Sequence, residues 1–275
     1  MTWTSGESWS NRSTSGATEA ARSKQRIPVS SVLYTHGCFA FFVAIAVCVQ
    51  NLTGFAFALI LLGLVGLTDL VPLPDAVSAV TVLIIVNAVV FLYRRRPVRL
   101  EPAMKPTIVA SLLGAVLGIG ILAFLAAHAF SVLKALLGLC IVGCAILLWR
   151  SAKPLALASG CVYFTIVGAL SGVLGGIFSA AGPPLVYAVY RQPWPVDVIR
   201  ESLIFCFGVG AAFRLLVMIL SGLVSAQAMW LALEAIPVVF LVTFLTANLS
   251  VPISKNTLKH IVCVLLICAG VGMLL

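Results

Sequence analysis

Residues 168–190 read GALSGVLGGIFSAAGPPLVYAVY. An apolar, glycine-rich run meets Gly182-Pro183-Pro184. Proline lacks an amide donor and pushes the residue before it out of helical geometry. One helix is therefore predicted to end near Ser179, and a second to begin with its prolines in the first turn. Unwound backbone of this kind is tolerated inside a membrane only where it is buried in protein or lines a cavity. Free amides at the start of the second helix offer an anion site.

Whether the stretch lies in a membrane is decided by the rest of the chain. Of 275 residues, 62% are hydrophobic and only 9% are charged; a soluble domain carries about 25% charged residues. Mean hydropathy is +1.17. Several apolar runs have the length of about 20 residues that a helix needs to cross a hydrocarbon core. They are continuous rather than alternating, which excludes a transmembrane barrel. The expected fold is an all-α polytopic membrane protein. The formal charge of +9 is not a nucleic-acid patch, because the basic residues mostly punctuate the ends of apolar segments, as loop charges do in membrane proteins. The eight cysteines form no CxxC pair and read as small buried hydrophobes, with no metal site or cofactor expected.

Working outward, residues 1–28 are polar and form a predicted disordered, cytoplasmic tail. The first apolar block, about Val32 to Leu67, is interrupted at Gln50-Asn51-Leu52-Thr53-Gly54. One straight helix over the block would be about 54 Å long, too long for a single crossing. Spans are expected at about Ala76–Tyr93, Thr107–Ala127 and Val132–Trp149. The second block, about Leu155 to Tyr190, is broken around Ser179–Pro184. Spans at Val198–Leu220, Met229–Leu249 and Thr257–Leu275 follow. The order repeats. Gly37-Cys38 matches Gly160-Cys161, Gly54 matches Gly182, Asp75 matches Asp197, and Leu133-Lys134 matches Leu258-Lys259, at offsets of 122 to 128. This predicts two halves, 29–153 and 154–275, each opening with a broken helix. Placing the tail and Arg94–Arg96 on the cytoplasmic side gives eight crossings, four in each half; inverted halves are the alternative.

Asn51, Thr53, Gly54, Gly175, Gly176, Ser179, Gly182, Pro183 and Pro184 are the candidate substrate contacts, with Arg200 supplying charge at the entrance. The two breaks are expected to face one another near the midplane. Simpler roles compete: small residues at 168, 172 and 176 also suit close helix packing, and hydroxyls at 53 and 179 also suit capping. Arg214 and Glu234 are each ten residues from the predicted turn between their spans, at similar depth. They are expected to form a structural ion pair, because an unpaired charge in the bilayer is costly.

The 168–190 stretch, with RQPWPVDVIRESL after it and QNLTGFAFALI at 50–60, resembles the sulfite exporter TauE/SafE family, also called 4-toluene sulfonate uptake permeases. The resemblance runs from about Leu33 to the C-terminus. It implies a bacterial inner-membrane permease for sulfite, sulfonates or related anions. Many members carry a run of glycines where this chain has Ser179-Ala180-Ala181. A proton or sodium ion is a possible coupling partner; the oligomeric state is open. An anion channel is the alternative. An intramembrane enzyme is disfavoured: there is no Walker A, HExxH or GxSxG pattern.

Overall fold

The computed structural model describes residues 29–98, 100–149, 155, 157–179 and 182–246, with isolated positions at 263, 264, 267 and 270. The expected tail and, apart from those four positions, the expected last span, Thr257–Leu275, lie outside the described residues. Residues 29–38 form a unit of their own and contribute the first turns of α1; the packing below is that of Phe39 onward.

The regular elements among the described residues are all helices: α1 Val29–Thr53, α2 Phe57–Thr68, α3 Leu73–Arg94, α4 Lys105–His128, α5 Phe130–Trp149, α6 Cys161–Phe178, α7 Gly182–Tyr190, α8 Val196–Leu220 and α9 Ala226–Thr246, with a 3-10 turn at Pro102–Met104. Six of them, α1, α3, α4, α6, α8 and α9, are long and apolar enough to cross a membrane. The outward faces are apolar as well. On α4 the exposed stripe is Val109, Leu113, Leu117 and Phe124, and on α6 it is Val162, Ile166 and Leu170. Exposed apolar stripes at helical spacing suit lipid, not water. This is an all-α polytopic membrane protein.

Both breaks fall where sequence reasoning placed them. The second block starts its helix later than expected, at Cys161 rather than Leu155. The segment before it is held by the chain that follows α7: Leu155 N–H donates to Arg191 O at 2.7 Å, and Ser159 N–H to Gln192 Oε1 at 2.9 Å.

The closest crossing joins α4 and α6. A Cβ built on Gly168, Gly172 or Gly176 would lie 2.5, 2.2 or 2.3 Å from the carbonyl oxygens of Thr107, Ser111 and Ala115. Reciprocally, Gly114 and Gly118 face Ala169 O and Val173 O at 2.4 and 2.2 Å. These glycines let two backbones touch, which is how small residues drive helix association where lipid is as apolar as the interface.

Helix α3 packs against both α8 and α9. Asp197, at the start of α8, is 3.6 Å from Arg95, just past the end of α3. Farther along, Arg214 of α8 bonds Thr81 of α3. The two helices therefore run antiparallel. Four crossings in each half would make these helices, which the predicted repeat pairs with one another, run the same way, and their antiparallel run does not fit that expectation. Asp75, at the other end of α3, accepts from Ser225 Oγ, in the turn before α9, at 2.5 Å. Some 20 residues separate Asp75 from Arg95, about 30 Å along a helix and close to a hydrocarbon thickness. The two aspartates thus tie α3 to the second half at opposite ends.

Candidate functional site

At the first break α1 ends in Thr53, and Gly54 and Ala56 take positive φ values of 84° and 81°. A helix end leaves its last carbonyls without helical partners. Here Gln50 O accepts from Gly54 N–H at 2.6 Å. Asn51 O accepts from Arg200 Nη2, and Thr53 O from Tyr190 Oη at 2.5 Å. The Thr53 hydroxyl bonds Val49 O at 2.7 Å, the backbone-satisfying role that competed with ligand binding. Asn51 Nδ2 donates to Thr246 Oγ1 at 2.8 Å, leaving its buried Oδ1 without a hydrogen-bond partner. Gly54 is needed for two reasons. Its φ is left-handed, and a Cβ there would be 2.9 Å from Arg200 Cα.

Arg200 is held rather than swinging at an entrance. It is 8% exposed, lies 3.7 Å from Asp197, and its guanidinium sits 5.6 Å above the Phe91 ring. That contact distance suits a cation–π interaction.

The second break is built in the same way. Helix α6 ends at Phe178, and Ser179 turns the chain at φ 55°, a left-handed conformation uncommon for a residue with a side chain. Its amide donates to Gly175 O at 2.8 Å. Its hydroxyl lies 2.5 Å from Thr81 Oγ1 and 3.3 Å from Val77 O. The orphaned Gly176 O accepts from Arg214 Nε at 2.9 Å, and Arg214 Nη1 donates to Thr81 Oγ1. Helix α7 then begins at Gly182 with Pro183 and Pro184 in its first turn, where a missing amide donor costs nothing.

Each break thus sits on the second helix after the other. Gly54 meets Arg200, the fifth residue of α8; Ser179 meets Val77, the fifth residue of α3. An arginine of α8 covers the exposed carbonyls of each broken helix, where positive charge also suits the negative end of the helix dipole.

The two breaks do not form one site. Arg200 and Arg214 are 14 residues apart on α8, about 21 Å along its axis. Their neighbours on α3, Phe91 and Thr81, are ten residues apart, about 15 Å. Asn51, Thr53, Gly54 and Arg200 are brought together at one level. Gly175, Gly176 and Ser179 are brought together at another, next to the start of α7. Gly176 faces the α4 crossing, whereas Gly175 and Ser179 line a cavity of about 30 Å³ with Ser111, Gly172, Cys206 and Arg214.

The structure does not bring Arg214 and Glu234 together. Arg214 is 1% exposed and gives its hydrogen bonds to Gly176 and Thr81, while Glu234 lies on the exposed side of α9. Equal depth in a hairpin fixes height along the helices but not the direction in which each side chain points. Thr81 and Arg214 are the residues of this region that sequence reasoning missed as site elements. An arginine in the middle of an apolar span was the available signal.

The family model described as sulfite exporter TauE/SafE matches residues 38–273. A Cupriavidus necator protein named "Probable sulfite/organosulfonate exporter TauE" is 30% identical over 230 residues, covering 82% of this chain and 88% of that protein. No solved structure matches the chain. The broken helices, their exchanged packing and the span of the match agree: this chain belongs to the sulfite exporter TauE/SafE family.

Proposed function

We propose that this chain is a secondary carrier that exports a small sulfur-containing anion, sulfite or an organosulfonate, across the bacterial inner membrane. The observation that carries this reading is the pair of broken helices inside an apolar bundle of an exporter family. Irregular backbone at membrane depth is tolerated only where it is buried in protein or lines a cavity, and discontinuous helices are a common way for carriers to hold ions and substrates. The relative's name supplies the sulfur anion as the substrate class.

In this reading Gly175, Ser179 and the Gly182–Pro184 start of α7 contact the anion. Asn51, Thr53, Gly54 and Arg200 form the companion break farther along the path. The antiparallel run of α3 and α8 supports an inverted relation between halves 29–153 and 154–275. A proton or sodium gradient supplies the driving force. The basic loop at Arg94–Arg96 faces the cytoplasm.

Purified protein in proteoliposomes tests the reading. Saturable, gradient-dependent flux of sulfite or a sulfonate, exceeding that of sulfate, is expected. Unitary conductance steps in a planar bilayer would replace the carrier with a channel. Absence of flux for sulfite, thiosulfate and sulfonates alike would overturn the substrate class.

A further inference from the structure

We infer that the cavity between α4, α6, α7 and α8 is an oxyanion site whose recognising group is the Arg214 guanidinium. Its ligand is a compact sulfur oxyanion carrying one net negative charge, of the hydrogensulfite kind, without an organic tail. This rests on the carrier reading above and names the anion's partner within it.

The first ground is the donor count on Arg214. A guanidinium has five N–H groups in a rigid fork. Nε goes to Gly176 O and Nη1 to Thr81 Oγ1, whereas Nη2 has no hydrogen-bond partner among the described residues. Covering the end of α6 engages Nε; the rest of the fork exceeds what that role needs. The two bonds also fix the plane of the guanidinium. Arg214 also lines the cavity, and with its guanidinium held by these bonds an oxyanion beside it binds without the entropy cost of ordering a long side chain.

The second ground is charge. Arg214 is buried, and the described residues lining the cavity include no carboxylate. A buried cation without a counter-charge is strongly unfavourable. A monoanion in the cavity restores neutrality; a dianion would leave a net negative charge in an apolar surround.

The third ground is shape. Gly210 lines the cavity, and a Cβ built on it meets nothing within 4 Å. The cavity of about 30 Å³ exceeds the roughly 10–15 Å³ that holds one water on a comparable measure, but leaves no room for an aryl or long alkyl tail. The Ser179 hydroxyl, with Thr81 Oγ1 and Val77 O as alternative partners, has one proton to give and can turn it to a ligand oxygen.

The test uses the full chain in detergent, with sulfite near neutral pH as the probe, 4-toluenesulfonate as competitor, and proteoliposome flux alongside. Arg214→Gln is expected to raise the sulfite Kd by about ten- to a hundredfold, the range for losing a charge-assisted hydrogen bond. Its melting temperature without sulfite is expected to change little, because removal of an uncompensated buried charge offsets the lost bond to Gly176 O. Arg214→Lys is expected to fall between. Gly210→Val, which fills the open space a Cβ at 210 would enter, is expected to weaken sulfite binding to a similar degree while melting like the parent. That variant keeps the test decisive if changes at Arg214 prevent folding. Sulfite binding at the parent Kd in Gly210→Val, or in a folded Arg214→Gln, overturns the site. Equal competition by 4-toluenesulfonate overturns the compact ligand. If the parent itself moves no sulfur anion, the carrier reading falls; if it does and the variants match it, only this site falls.

Discussion

Replacing Gly118 by alanine inserts a methyl group into the tight α4–α6 crossing. The new Cβ would lie 2.2 Å from Val173 O and 2.8 Å from Gly176 Cα. Both are backbone atoms, so no side chain can swing aside. Ordinary contact begins about 1 Å farther out, and α4 must move away from α6 by roughly that distance. Overpacking of this kind typically costs about 1–3 kcal/mol. The opposing term is helix propensity, because alanine is better than glycine by about 0.8–1 kcal/mol in a helix interior. Gly120 separates the two effects: it is on the same helix, exposed, with nothing within 4 Å of a built Cβ. Gly120→Ala gains the propensity term alone, so the two variants should differ by about the 1–3 kcal/mol of the steric term. Thermal unfolding in one detergent, followed by loss of the monodisperse peak in size-exclusion chromatography, measures the difference. Gly118→Ala should melt below the parent and Gly120→Ala at or above it. If the two variants melt together, the crossing is not as tight as described.

Three further outcomes follow from the first break and from the run of α3. Gly54→Ala combines a left-handed φ with a Cβ 2.9 Å from Arg200 Cα, and should destabilise by at least about 1–2 kcal/mol; a parent-like melting temperature would contradict it. Arg200→Gln removes the donor to Asn51 O and the ion pair with Asp197, and should lower stability by about 1–3 kcal/mol, read as a drop in melting temperature, with no change contradicting the capping role. A cysteine introduced at Arg96 should be protected from an impermeant thiol reagent outside intact cells, and one at Leu223 should react, because α3 and its ties to Asp197 and Ser225 place the two loops at opposite ends. The reverse labelling pattern would invert the orientation.

Both breaks were legible from sequence because glycine and proline act locally. Gly54 and the Gly182-Pro183-Pro184 step mark where a helix cannot continue, whatever surrounds it. The ridge at Gly168, Gly172 and Gly176 was legible as a pattern, but its two possible uses were not separable until α4 was seen against it. What covers the broken ends was not legible, since Asn51 O meets Arg200 and Gly176 O meets Arg214 across long separations in the chain. The Arg214–Glu234 expectation shows the limit of one-dimensional reasoning. Hairpin register gives height, while side-chain direction depends on which face each helix turns to its neighbours. The antiparallel run of α3 and α8 was likewise beyond a repeat detected only as residue matches, because such matches carry no direction in space.

The exchanged covering of the two breaks has a consequence for how the chain is made. The end of α1 leaves the ribosome long before Tyr190 and Arg200, which later satisfy Thr53 O and Asn51 O. Until then these carbonyls have only lipid, translocon or trapped water around them, at several kcal/mol for each group left bare in hydrocarbon. Residues 1–153 synthesised alone should therefore be recognised by membrane quality control and degraded. Supplying residues 154–275 as a separate polypeptide should rescue them.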